Sequence, residues 1–221
     1  MDRLEVVALR HGPLWNFTYL LACLESGEAA VIDPAWDVAG ILDAARARDL
    51  GIKKVLLTHS HSDHVNGARE LAEASGARVF AHHAEAGDLR PVLGGDLNTL
   101  STDDVLEVGS IPLRTLHTPG HTAGSVSFLA GGRLFVGDTL NVGSPGTPGP
   151  EAGSLEALWR STLEVLGCLP DETVIHPGHD SGPSPESLLG SEKRGNPALR
   201  AQSLEEFVVA VERATGRRHR D

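Results

Sequence analysis

Apolar positions follow two alternating patterns along the chain. Short β-branched runs at Leu4–Leu9, Phe17–Leu24 and Ala29–Ile32 predict strands, parted by the turn formers Gly12-Pro13 and Ser26-Gly27. Val38–Asp49 carries apolar residues at helical spacing and stops before Gly51. Val55–Leu57 is wholly apolar, as a strand covered on both faces should be. Val65–Ser75 then reads as a helix and Val79–Ala81 as a strand. The second half repeats the grammar. Strands are predicted at Leu113–His117, Val126–Leu129, Leu134–Val136 and Thr173–Ile175. Helices are predicted at Leu155–Leu166, capped by Ser154, and at Leu204–Ala214. Two βα-rich halves predict an α/β sandwich with its helices outside. Gly143–Gly153 and Gly178–Pro197 are rich in Gly, Pro and Ser and read as loops.

Composition narrows the class. A chain of 221 residues suits one large domain. The expected division is a main body over 1–183 with a short helical extension over 184–221 packed on it. Thirty acidic against nineteen basic side chains give a formal charge of −11, which argues against nucleic-acid or anionic-membrane partners. No apolar run approaches the roughly 18 residues of a membrane span. Met1–Arg10 does not read as a leader. Cys23 and Cys168 make no disulfide framework and read as small buried hydrophobes, so a cytoplasmic protein is expected.

Histidine changes the picture: there are eleven. Thr58–His64 (THSHSDH) follows the apolar strand and places His59, His61, Asp63 and His64 in one strand-end loop. Imidazoles and carboxylates are the ligands that borderline divalent metals take. Three further strand ends carry ligand-type residues: His121 in TPGHTAG, Asp138 in VGDT and His179 in PGHD. Singly each is weak; four strand-end loops together are specific.

These residues, in this order, resemble the HxHxDH…H…D…H pattern of the metallo-β-lactamase superfamily. The resemblance implies an αββα sandwich, two mixed β-sheets flanked by helices. It also implies one metal on His59, His61 and His121, another on Asp63, His64 and His179, and Asp138 bridging them. The expected chemistry is attack by a metal-bound hydroxide, with Asp63 also orienting the water. Two divalent ions are expected, zinc first, with iron or manganese accepted by the same ligands.

His64-Val65-Asn66-Gly67, Thr118–Ser125, GDTL and PGHD resemble glyoxalase II-like thioesterases, which implies a small-molecule substrate of the hydroxyacylglutathione type. Phe17–Leu21 and Ile32-Asp33-Pro34 look equally like persulfide dioxygenases, which hold one Fe(II) on the residues matching His59, His121 and Asp138. A lactone or β-lactam hydrolase is the third reading. The chain departs from the glutathione-using branches in having no cysteine or basic residue over Asn141–Glu151, and in Ser181 where an aromatic is usual. Lys193 and Arg194 are the candidate substrate-carboxylate binders, and a homodimer is the expected assembly. Among the other histidines, His82 should pack and His83 be exposed. His117 and His176 should support the ligands, as should Asp33. His11 should sit at a turn beside the first strand, and His219 belongs to a charged tail.

Overall fold

The computed structural model describes residues 3–94, 97–150 and 153–216. His219 and Glu151 therefore lie outside the described residues.

The first half contains β1 (Leu4–His11), β2 (Asn16–Cys23), β3 (Glu28–Ile32), α1 (Val38–Arg46), β4 (Gly51–Leu56), α2 (Ser62–Val65), α3 (Ala68–Ser75), β5 (Arg78–His82), α4 (Ala86–Leu93) and β6 (Leu97–Leu100). Its six strands form one sheet in sequential order, antiparallel from β1 to β3 and parallel from β3 to β6. The second half contains β7 (Val105–Val108), β8 (Ile111–His117), β9 (Val126–Ala130), β10 (Arg133–Gly137), the small hairpin β11 (Leu140–Asn141) and β12 (Ser144–Pro145), α5 (Leu155–Arg160), β13 (Val174–Pro177), β14 (Ser187–Leu188), α6 (Leu189–Gly195), α7 (Pro197–Arg200) and α8 (Leu204–Thr215). Here the order is β14-β13-β10-β9-β8-β7, with only β10 and β13 parallel.

Side-chain alternation along the strands builds three apolar layers. Leu20, Val31, Val55 and Val79 face outward under Ile41, Leu71 and Leu89 of α1, α3 and α4. Tyr19, Leu21, Ile32 and Leu56 face inward and meet Leu113, Phe128 and Phe135 of the second sheet. Leu134, Val136 and Ile175 face the opposite way, under Leu158, Leu189, Phe207 and Val211. The result is an αββα sandwich. Phe128 and Phe135 are fully buried between the sheets, where truncation to Ala costs about 3–5 kcal/mol.

Four local expectations are corrected. The helix expected over Val65–Ser75 is two: it breaks at Asn66-Gly67, where the Gly67 N–H donates to the Pro34 carbonyl (3.1 Å) and Asn66 Oδ1 accepts from the Trp36 N–H (2.8 Å). The helix from Leu155 widens into a π-helical stretch over Ser161–Leu166, where the Ser161 and Thr162 hydroxyls donate to the carbonyls of Pro119 and Leu158. The loop expected over Gly178–Pro197 contains β14 and α6, anchored by the buried Glu192, which accepts from Gly143 N and Asn196 Nδ2 (2.8 Å each). Cys168 is exposed rather than buried, while Cys23 is fully buried.

Candidate metal centre

The C-terminal ends of β4, β8, β10 and β13 open at one rim of the sandwich, and every expected ligand sits there. His59 and His61 follow β4, and Asp63 and His64 lie in α2. His121 lies in the β8–β9 loop, Asp138 follows β10, and His179 follows β13. Three groups of three converge with their ligand atoms within 4.8 Å of one another: His59, His61 and His121; Asp63, His64 and His179; and Asp33, His59 and His64. Asp138 lies between the first two, with Oδ2 3.5 Å from His121 Nε2 and 3.3 Å from His179 Nε2, and Oδ1 3.5 Å from His64 Nε2. The approach is so close that a Cβ on Gly178 would stand 2.3 Å from Asp138 Oδ1, which explains the glycine before His179.

The far ring nitrogens decide the tautomers. Nδ1–H of His121 donates to the Thr147 carbonyl (2.6 Å), and Nδ1–H of His179 to the Leu14 carbonyl (3.0 Å). Nδ1–H of His64 donates to Asp33 Oδ2 (3.1 Å). The Thr58 hydroxyl donates to Asp33 (2.6 Å) and accepts from His59 Nδ1–H (2.9 Å). In the neutral form of each ring this puts the proton on Nδ1 and turns the Nε2 lone pair into the site. His64 Nε2 and His179 Nε2 stand 3.1 Å apart, and His121 Nε2 stands 2.8 Å from His61 Nδ1. Among the described residues, His59 Nε2 and Asp138 Oδ1 are buried with no hydrogen-bond partner. Ring nitrogens crowded together at these distances, with two buried atoms beside them that lack partners, fit cations held between them.

The electrostatics split the site. Burial, then neighbouring His64, pushes His59 well below its usual pKa, and burial with His121 lowers His61. Burial opposes charge on His64, yet Asp138, Asp33 and Asp63 lift it to about 9. Burial likewise opposes charge on Asp138, but His64, His179 and His59 hold its carboxyl well below the usual range.

Asp33 supports rather than ligates, because both oxygens are taken. Oδ1 accepts from the Thr58 N–H (2.8 Å), and Oδ2 from the Thr58 hydroxyl and His64. His82 is buried and stacks on His117 (4.1 Å, 12°), and His83 is exposed. His117 reaches the His121 loop through the Ala123 carbonyl (3.0 Å). His176 does not support the ligands; it stacks on Phe135 (4.8 Å, 13°) between the sheets. His11 is partly buried, 3.8 Å from Asp37. The Lys193 ammonium is engaged by the Leu169 carbonyl and Asp171 (2.7 Å each), and Arg194 by Ser191 (3.4 Å).

Sequence reasoning missed Asn16. Its buried amide donates to Asp63 Oδ2 (2.9 Å) and accepts from Trp36 Nε1–H (3.2 Å), and its backbone bridges His179.

The chain belongs to the metallo-β-lactamase superfamily, whose family model matches residues 12–179. It is similar to the probable polyketide biosynthesis zinc-dependent hydrolase BaeB of Bacillus velezensis, with 30% identity over 88% of this chain and 87% of that one. It is similar to the hydroxyacylglutathione hydrolase of Polaromonas sp. with 40% identity over 75% of this chain, but spans only 62% of that protein. Among solved structures, ETHE1 from Myxococcus xanthus superposes with a TM-score of 0.85 and 31% identity, over 95% of this chain and 91% of that one.

Proposed function

We propose that this chain is a metal-dependent hydrolase that cleaves a thioester of the hydroxyacylglutathione type. The carrying observation is the His64–His179 pair: two ring nitrogens 3.1 Å apart, with Asp63 and Asp138 beside them and a second histidine triad across Asp138. Two divalent ions there, zinc first, would lower the pKa of a water and polarise the scissile carbonyl. The protein's share of the work is positioning. Asp33 and Thr58 fix the rings of His59 and His64, while the Leu14 and Thr147 carbonyls fix His179 and His121. Asp63, oriented by the Asn16 amide, holds the attacking water and takes its proton.

A second reading, a persulfide dioxygenase holding a single Fe(II), draws on a different observation. The two orphaned atoms, His59 Nε2 and Asp138 Oδ1, belong with His121 to a two-histidine, one-carboxylate set. The absence of basic side chains over residues 141–150 favours a lactone or another thioester if glutathione is not the carrier.

Metal per chain, S-lactoylglutathione hydrolysis and oxygen uptake with glutathione persulfide, measured on one preparation, test these readings together. About two ions and hydrolysis support the first. One iron and oxygen uptake would overturn it in favour of the second.

A further inference from the structure

Glu85 lies just before α4, far in sequence from every ligand, and is 3% exposed. Its Oε1 accepts from the Thr122 hydroxyl (2.8 Å) and from the Gly124 backbone N–H (2.6 Å). Both donors follow His121 within three residues of the same loop. A Cβ on Gly124 would sit 2.5 Å from Oε1, so the loop presents bare backbone where the carboxyl meets it. Oε2 is buried with no hydrogen-bond partner. Glu85 therefore occupies an interior position that costs stability and that no reacting atom uses directly.

The loop itself is closed by Thr118 N–H to the Ser125 carbonyl, Gly120 N–H to the Thr122 carbonyl, and Ser125 Oγ accepting from Thr122 N–H. On the side of the first sheet its fastenings are Glu85, the Val126 N–H to the Thr58 carbonyl, and, through Ala123, His117 stacked on His82. On the other side His121 is held by Gly149 N–H to its carbonyl and by its own Nδ1–H to Thr147. His82, in ring contact with His83 and His117, is a titratable group that feels the Glu85 charge.

We infer that Glu85 is the positioning residue that sets the His121 imidazole against His59 and His61, and so tunes metal retention at that triad without touching the metal. The inference rests on the proposed reading that the triad holds an ion. Groups hydrogen-bonded directly to a ligand typically change metal affinity by about 10–100-fold; Glu85 acts one residue further out, through Thr122 and Gly124, so about tenfold is the expected size.

The test is a chelator titration of the protein loaded with Co2+, followed by visible absorption and by cobalt released per chain. His121→Ala serves as reference for the absorption contributed by the His59–His61–His121 ion. Glu85→Ala is expected to release that ion at about tenfold lower chelator concentration, with the Asp63–His64–His179 ion unmoved. Glu85→Gln, which keeps an acceptor at Oε1, is expected to restore retention to within about threefold. Thr122→Val removes one of the two donors, burdens folding less, and should show the same selective loss at a few-fold level. Unchanged release in both Thr122→Val and Glu85→Ala, or equal loosening of both ions, overturns the role. Wild type that shows no absorption missing from His121→Ala would instead overturn the metal reading on which it rests.

Discussion

The two halves of the centre use different chemistry within a few ångströms. On one side stand three imidazoles, two of them driven toward the neutral form by burial and by a neighbouring imidazole, His64 for His59 and His121 for His61. On the other, imidazoles sit among Asp63, Asp33 and Asp138, and His64 is lifted to about 9 by those carboxylates. A neutral ligand set leaves a bound cation its full charge, and so its power to polarise a carbonyl. An anionic set offsets that charge and holds the ion and a nearby water more firmly. On the proposed two-ion reading, one sandwich rim offers a polarising position and an anchoring position, joined by Asp138.

The largest expected effect breaks the comparison outright. His121→Ala and His179→Ala should each remove about one ion per chain and lower kcat by about a thousandfold, near 4 kcal/mol of barrier. Elemental analysis with steady-state kinetics checks this, and full activity in His179→Ala would sink the two-ion reading. Next, Asp33→Ala leaves the Thr58 N–H and His64 Nδ1–H without an acceptor. It should weaken metal on the His64 side by about 10–100-fold and disturb the other triad less, because Thr58 still reaches His59. Competition with a chromophoric chelator reads this out.

Asn16→Ala should leave metal content intact and lower kcat by about tenfold, because a hydrogen bond to an ionised Asp63 is worth about 1.5–3 kcal/mol. Lost metal with unchanged turnover per ion would show that Asn16 serves the ion rather than the carboxylate.

The smallest effect lies outside both triads. Burial, then Arg133, lowers His176 to about 4, whereas the unfolded chain protonates near 6.5. His176 therefore contributes stability that is complete above about pH 6.5 and lost progressively as the pH falls toward 4. His176→Phe, whose ring can take the same stack on Phe135, should flatten that acid limb in urea melts with metal content at pH 7 unchanged. A limb of unaltered slope would assign the acid sensitivity to the centre itself.

What was legible in the sequence follows from distance along the chain. The seven ligand-type residues announce themselves because each stands at the end of an apolar run, where residue type and local pattern suffice. Asn16 does not, since its meaning comes from a bridge to His179 across the two sheets. Glu85 is equally silent in a stretch that reads as an ordinary polar helix start. Pro91 within α4 masked that helix, and the edge strands β6 and β7 have exposed, weakly patterned positions. The C-terminal α6 was hidden because, beside Leu189 and Gly190, it buries Glu192, a side chain that composition assigns to solvent.

His59, His61, Asp63 and His64 come from the first sheet; His121, Asp138 and His179 come from the second. An ion shared between them is a cross-link across the seam, formed only when both halves are folded. At a free concentration of one hundred times its dissociation constant, each such ion adds about 2.7 kcal/mol to the folded state. On the proposed reading, metal supply governs lifetime as well as turnover: a starved cell is expected to lose the protein to proteolysis, and pulse-chase decay with and without chelator would show the half-life following the metal.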